Sequence, residues 1–264
     1  MPNSKQATAE KSGADEHVLG LQYPTDDFPY YNGKPVGFSG AQWLLLMLGV
    51  LAGFLVLIAP LPMFAGNIGQ FIPATLFFAI PLAVLSWVTP HYWKELFRKV
   101  TGRDIKWMIL FALLNIVVTM VIGLAVSQSL GTHSNPAFAA MATQTPVELL
   151  LFFLKTLPQL LGEELLTILP FLAMMTFLIT HLHWSRKRAI VGAWLLVALL
   201  FGAAHLPTYE WNMVQAFAVI GSARLILLLP YIMTKNIWVS TGAHILNDWT
   251  LFIVALLGAI APGH

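Results

Sequence analysis

The chain contains no cysteine. That one absence removes disulfides, thiolate catalysis and Cys-based zinc sites together. Charge is scarce too: Asp, Glu, Lys and Arg make up 10% of the 264 residues, against roughly 25% in an ordinary soluble domain. No H-E-x-x-H run occurs, so a helix-borne zinc pair of the usual protease type is missing as well. What fills the sequence instead is apolar: 58% of it is hydrophobic and the mean hydropathy is +0.74. Several runs exceed the ~18 to 20 apolar residues needed to cross a hydrocarbon core of ~30 Å. The expected class is all-α, a polytopic transmembrane helical bundle.

The hydropathy pattern places about seven spans, at 41–60, 68–89, 107–127, 162–183, 189–206, 213–233 and 237–260. Segment 147–161 is amphipathic and too short to cross alone. Joined to 162–183 it would make a helix of ~55 Å, too long for one crossing. The expectation is a separate interfacial or partly inserted helix, broken from the span at Pro158 and Gly162. Residues 1–39 are polar, with Pro, Gly and mixed charges. They hold no short apolar core with a small-residue cleavage site, so no cleaved signal peptide is expected. They read as a flexible cytoplasmic tail ahead of a membrane domain at 40–264. Within the tail, "FPYYNGKPVGF" (Phe28 to Phe38) is aromatic enough to lie at headgroup depth.

Basic residues set the orientation. Counting spans from an inner N-terminus, the segments 1–40, 90–106, 184–188 and 234–236 hold twelve of the fourteen Lys and Arg. The outer segments hold none, and Lys155 and Arg224 fall within membrane segments. By the positive-inside rule the N-terminus is cytoplasmic in a plasma membrane, and the C-terminus lies outside. The basic "HLHWSRKR" (His181 to Arg188) then contacts anionic headgroups rather than nucleic acid. Trp and Tyr at span ends are interfacial anchors in the lipid bilayer.

Ionisable groups inside spans are costly and default to functional candidates. Here they are Glu163, Glu164, His205, Arg224, His244 and Asp248. Adjacent residues differ by ~100° around a helix, so Glu163 and Glu164 cannot face the same way. One can face a cavity while the other anchors to a neighbouring helix. Two nearby carboxylates in low dielectric also suit a general base. His205 closes "FGAAHLP", one turn after Phe201. In a hairpin through 181–188, Glu163 and His205 reach nearly equal depth. His244 and Asp248 share a helix face at i, i+4, with Asn247 close in angle. Counted from Lys235 and Arg188, however, His244 sits ~14 Å deep and His205 ~25 Å. Either 234–240 begins below the surface, or 213–233 is irregular around Gly221 and Pro230. Each group also has a purely structural alternative: glutamates that bond helices together, a core histidine, a local His–Asp hydrogen bond.

The ordered set EE, F-x-x-x-H, H-x-x-x-D on three spans resembles the CPBP family of intramembrane endopeptidases. That family includes type II CAAX prenyl proteases, bacteriocin-processing and bacteriocin-immunity proteins, and Abi proteins. The resemblance covers about 145–255. It implies a glutamate-dependent endopeptidase in which Glu163 and His205 activate a water, while His244 with Asp248 binds the developing oxyanion. Asn247 is the better donor by chemistry and the worse match by spacing. The family motif EE-x-x-x-R has Ile168 at its Arg position here, which leaves Glu164 without its usual cation. Arg224, the only Arg in the membrane interior, is the candidate to compensate. The implied substrate is a membrane-associated peptide or protein, whether CAAX-type, leader-bearing or bacteriocin-like, and no cofactor is implied. Two rivals stand beside this: a zinc protease using His205, His244 and a glutamate, and a non-catalytic immunity factor, scaffold or proton-coupled transporter.

Overall fold

The computed structural model describes residue 22 and residues 27–260. Its long elements are helices: α1 (Gly40–Ile58), α2 (Gly66–Gly69), α3 (Phe71–Val88), α4 (Gly102–Leu130), α5 (Pro136–Met141), α6 (Pro146–Thr180), α7 (Arg186–Ala204), α8 (Gly221–Thr234) and α9 (Ile237–Ile260). A π-helical turn, Gln215–Ile220, leads directly into α8. Local sequence starts several of them. Ser39 with Gln42, Thr101 with Asp104, and Thr145 with Glu148 form capping boxes at α1, α4 and α6. Each satisfies amide donors that a helix start leaves bare, which matters most where water is scarce.

Six helical stretches among the described residues are long and apolar enough to cross a membrane: 40–58, 66–88, 102–130, 146–180, 186–204 and 215–234. They correspond to the first six expected spans and make this a multi-pass membrane protein. The expected seventh is α9, 24 residues long. It carries Ser240, Thr241, His244, Asn247 and Asp248 in its first half and packs against α4, α8 and α6. The outer helices show Leu44, Leu51, Leu55, Val117 and Leu124 to their surroundings, as helices do when hydrocarbon is the solvent.

The expected break in the fourth span is absent. α6 is one continuous helix of 35 residues, with Pro158 and Pro170 inside it, about 52 Å long. A proline frees one carbonyl, a cost that packed neighbours absorb inside a membrane bundle. Gly162 serves close approach rather than bending: a Cβ there would collide with the Phe77 ring of α3. α6 is the axis of the bundle, touching α1, α3, α7, α8 and α9. Its most apolar window is 56% buried, against 22% for α4.

Residues 1–21 and 23–26 of the expected tail lie outside the described residues. The remainder does not behave as a flexible tail. Phe28, Tyr30 and Tyr31 are buried in the main core with Phe171, Leu172 and Tyr231. Phe28 sits edge-on to Phe171, with ring centroids 5.4 Å apart. Two cations lie near it, the Arg186 guanidinium and the Lys235 ammonium, each 5.4 Å from its ring centre. Asp27 pairs with Arg186 at 2.8 Å. Burial works against the Asp27 carboxylate, yet the Tyr31 hydroxyl and Arg186 outweigh it and hold the group below its ordinary 3.8. Burial and the Asp27 charge push the Tyr31 hydroxyl up to about 12.

Lys235 accordingly is not a surface loop cation. It is 0% exposed, ends α8 in a left-handed conformation with φ 51°, and donates to the Met233 carbonyl at 3.3 Å. Of the two routes considered for the depth mismatch, the irregular span is present, at the π-helical turn Gln215–Ile220, and segment 234–236 is buried within the protein.

Candidate active site

Glu163 and Glu164 diverge as helical geometry requires. Glu163 lines a cavity of about 390 Å³, with its side chain 13% exposed. Glu164 is 0% exposed and turns the other way, into the bundle. There Arg224 Nη2 of α8 donates to its Oε1 at 2.5 Å, from the second span beyond α6. The guanidinium also lies 4.8 Å from the centre of the Phe201 ring. Ile168, where the motif has its Arg, is an ordinary core residue at 0% exposure.

Phe201 explains the F-x-x-x-H spacing physically. Its ring covers Arg224 on one side and lies 4.5 Å from the His205 ring. Its carbonyl accepts a hydrogen bond from His205 Nδ1 at 2.8 Å, four residues on. A carbonyl can only accept, so Nδ1 carries a proton, and in the neutral ring Nε2 is left as the basic nitrogen. His205 caps the end of α7 on the cavity wall. Gly202, within the same motif, is needed for packing: a Cβ there would stand 2.6 Å from the Ala216 carbonyl oxygen of the π-helical turn.

His244 joins the two glutamates. Its Nδ1 meets Glu164 Oε1 at 2.9 Å. Its Nε2 lies 3.8 Å from Glu163 Oε2 and 3.7 Å from Asp248 Oδ1. Nδ1 faces an acceptor-only carboxylate and so is the donor. Asp248 accepts from Asn247 Nδ2 at 2.9 Å. Asn247 in turn accepts from Asn115 of α4 at 2.9 Å. Asn247 is thus engaged on both sides of its amide.

Glu163, His205, His244, Asn247 and Asp248 all line the same cavity. Glu164 and Arg224 lie behind it and reach it through His244 and Phe201. Several cavity residues were not singled out from the sequence. Gln159, one turn before Glu163, donates to Glu163 Oε1 at 3.2 Å. Asn115 is the only Asn in the α4 span, and an amide in the middle of an apolar span was a usable signal. Tyr209 sits in a short 3-10 turn at the cavity edge, where burial pushes its hydroxyl above the ordinary range. Lys155 lines the wall too and reaches Gln70 at 3.4 Å. Among the described residues no group of three or more His, Asp or Glu stands in a metal-holding arrangement.

Residues 144–250 match the family model described as type II CAAX prenyl endopeptidase Rce1-like. The match covers less than half of the chain, and this segment is similar to that family. The matched segment begins at the start of α6 and ends within α9, so it contains every polar group just described except Asn115 and Gln70. The similarity suggests an intramembrane endopeptidase of the CAAX-protease type. No curated protein and no solved structure matches the chain significantly.

Proposed function

We propose that this protein is a metal-free intramembrane endopeptidase in which Glu163 and His205 activate a water molecule. The observation that carries the reading is the shared cavity: Glu163, His205 and His244 come from α6, α7 and α9 and line one hollow within the bundle. Gln159 occupies Glu163 Oε1, leaving Oε2 to accept a proton from water. His205 presents Nε2 in a tautomer fixed by Phe201. The water oxygen attacks the carbonyl carbon while its proton passes to the base. The oxyanion develops beside His244, and the retained proton returns to the leaving nitrogen as the C–N bond breaks.

In this scheme Glu164 holds His244 in place, and Arg224 balances the charge of Glu164. A cation from α8 thereby replaces the one the motif takes from its own helix. Asp248 is a carboxylate 3.7 Å from His244 Nε2 and suits orientation of that ring better than donation to an oxyanion. With Arg224 in place, the lack of an Arg at position 168 no longer favours a weakened scaffold over an enzyme.

The test is cleavage of a membrane-anchored peptide reporter by the purified protein in lipid vesicles. Wild type is expected to cleave, and Glu163→Gln to lose the activity while keeping its fold. No cleavage by wild type would favour the scaffold. Dialysis against a strong chelator is expected to leave the rate unchanged, and a loss restored by zinc would replace this mechanism with a metal-dependent one.

A further inference from the structure

The connecting segments of the bundle sort into two groups by contact. At one end, the Tyr30 hydroxyl donates to the Tyr92 carbonyl at 2.7 Å, Arg98 donates to the Asp27 carbonyl at 3.2 Å, and Arg186 pairs with Asp27. At the other end, Gln215 exchanges two hydrogen bonds of 2.8 Å with the His133 backbone, and Asn212 donates to the Gly131 carbonyl at 3.3 Å. The first end carries the basic clusters of segments 90–106 and 186–188. The connections at the second end, 59–70, 131–145 and 205–214, contain no Lys or Arg at all.

Such a bias across a multi-pass protein places the basic end in the cytoplasm. The cavity belongs to the other end. Asn135, Phe138, Thr208 and Tyr209 contribute to its wall from the connections there, and Glu163 and His244 reach it from the helices. A tail presented at the cytoplasmic surface would instead meet the end that Phe28, Tyr30 and Tyr231 fill.

We infer that the cavity opens to the extracytoplasmic side, and that its substrate is a peptide segment of a secreted or membrane-anchored protein presented on that face. The substrate half rests on the peptidase reading. The orientation half does not. Among the substrate classes that fit a CAAX-protease resemblance, this selects leader-bearing or secreted peptides over prenylated cytoplasmic tails.

Because the chain has no cysteine, single-cysteine variants carry one reactive site each. Thr132→Cys and Lys187→Cys report exposed positions at the two ends, and Thr208→Cys reports the cavity wall. In intact spheroplasts a membrane-impermeant maleimide is expected to label Thr132→Cys and Thr208→Cys. Lys187→Cys should stay unlabelled until the membrane is opened. The reverse pattern overturns the orientation. Labelling of Thr132→Cys with Thr208→Cys protected overturns the open mouth. In the same cells, a reporter segment held on the outer face is expected to be cleaved and the same segment on the inner face spared. Cleavage of the inner reporter alone overturns the substrate class. Cleavage of neither ends the substrate half together with the peptidase reading, while the labelling still fixes the orientation.

Discussion

The two ends of this bundle are each pinned by one amide side chain, yet they are built for different purposes. Asn236 brackets the backbone of Arg98 with two hydrogen bonds of 3.2 Å, and Gln215 brackets His133 in the same manner. Beyond those clamps the likeness stops. The basic end is filled by aromatic rings laid against buried cations. The opposite end keeps a hollow and lines it with carboxylates and imidazoles. One end spends its polar groups on closing the structure, and the other leaves them facing space that a substrate can occupy. The buried Glu164–Arg224 pair lies between the two, and loss of either partner should be felt at the cavity first.

That contrast breaks most severely at the ion pair. Arg224→Met strands the Glu164 carboxylate and should cost about 3–5 kcal/mol, read as a lower melting temperature in detergent. Adding Glu164→Gln should return much of the loss, because the uncompensated charge is then gone. A similar but purely structural cost is expected at the closed end. Phe28→Ala removes a buried ring that contacts two cations and should cost about 3 kcal/mol, while vesicles of the surviving folded protein keep the wild-type rate per molecule. His205→Gln sharpens the comparison from the other side. It should lower kcat/KM by about 100-fold, or ~2.7 kcal/mol, with melting unchanged.

The smallest effect concerns Asp27. Its carboxyl is held below 3.8 in the folded protein, so the stability it lends is complete above that value and fades as pH falls through the folded value. The Asp27 side chain is 44% exposed, which keeps the pair to under about 1 kcal/mol. Limited proteolysis of the N-terminal segment should accelerate below pH 3.8 in wild type. Asp27→Asn should already show the faster cutting near neutral pH.

Most of the helical plan was legible because apolar length is a strong signal, and the divergence of Glu163 from Glu164 follows from helical rotation alone. Arg224 stood out as the sole arginine in the membrane interior. Other features were hidden for physical reasons. Pro158 and Gly162 count as breakers in water, but within a packed bundle the helix runs through them. Lys235 looks like a loop cation because sequence does not show that Phe28 folds back over it. Phe28 to Tyr31 read as interfacial anchors because local aromatic content cannot distinguish a headgroup from a protein core. Gln159 and Asn115 were overlooked because a search for ionisable groups passes over neutral amides, although both hold residues of the cavity in place.

The central claim is that Glu163 and His205 act on one and the same water, and a double-mutant cycle on the reporter reaction tests it most directly. Groups that act as a unit are strongly non-additive. The account predicts that Glu163→Gln combined with His205→Gln is no slower than the worse of the two single variants. Two losses that multiply in the double variant would mean the side chains work independently, and the shared site proposed here would be wrong.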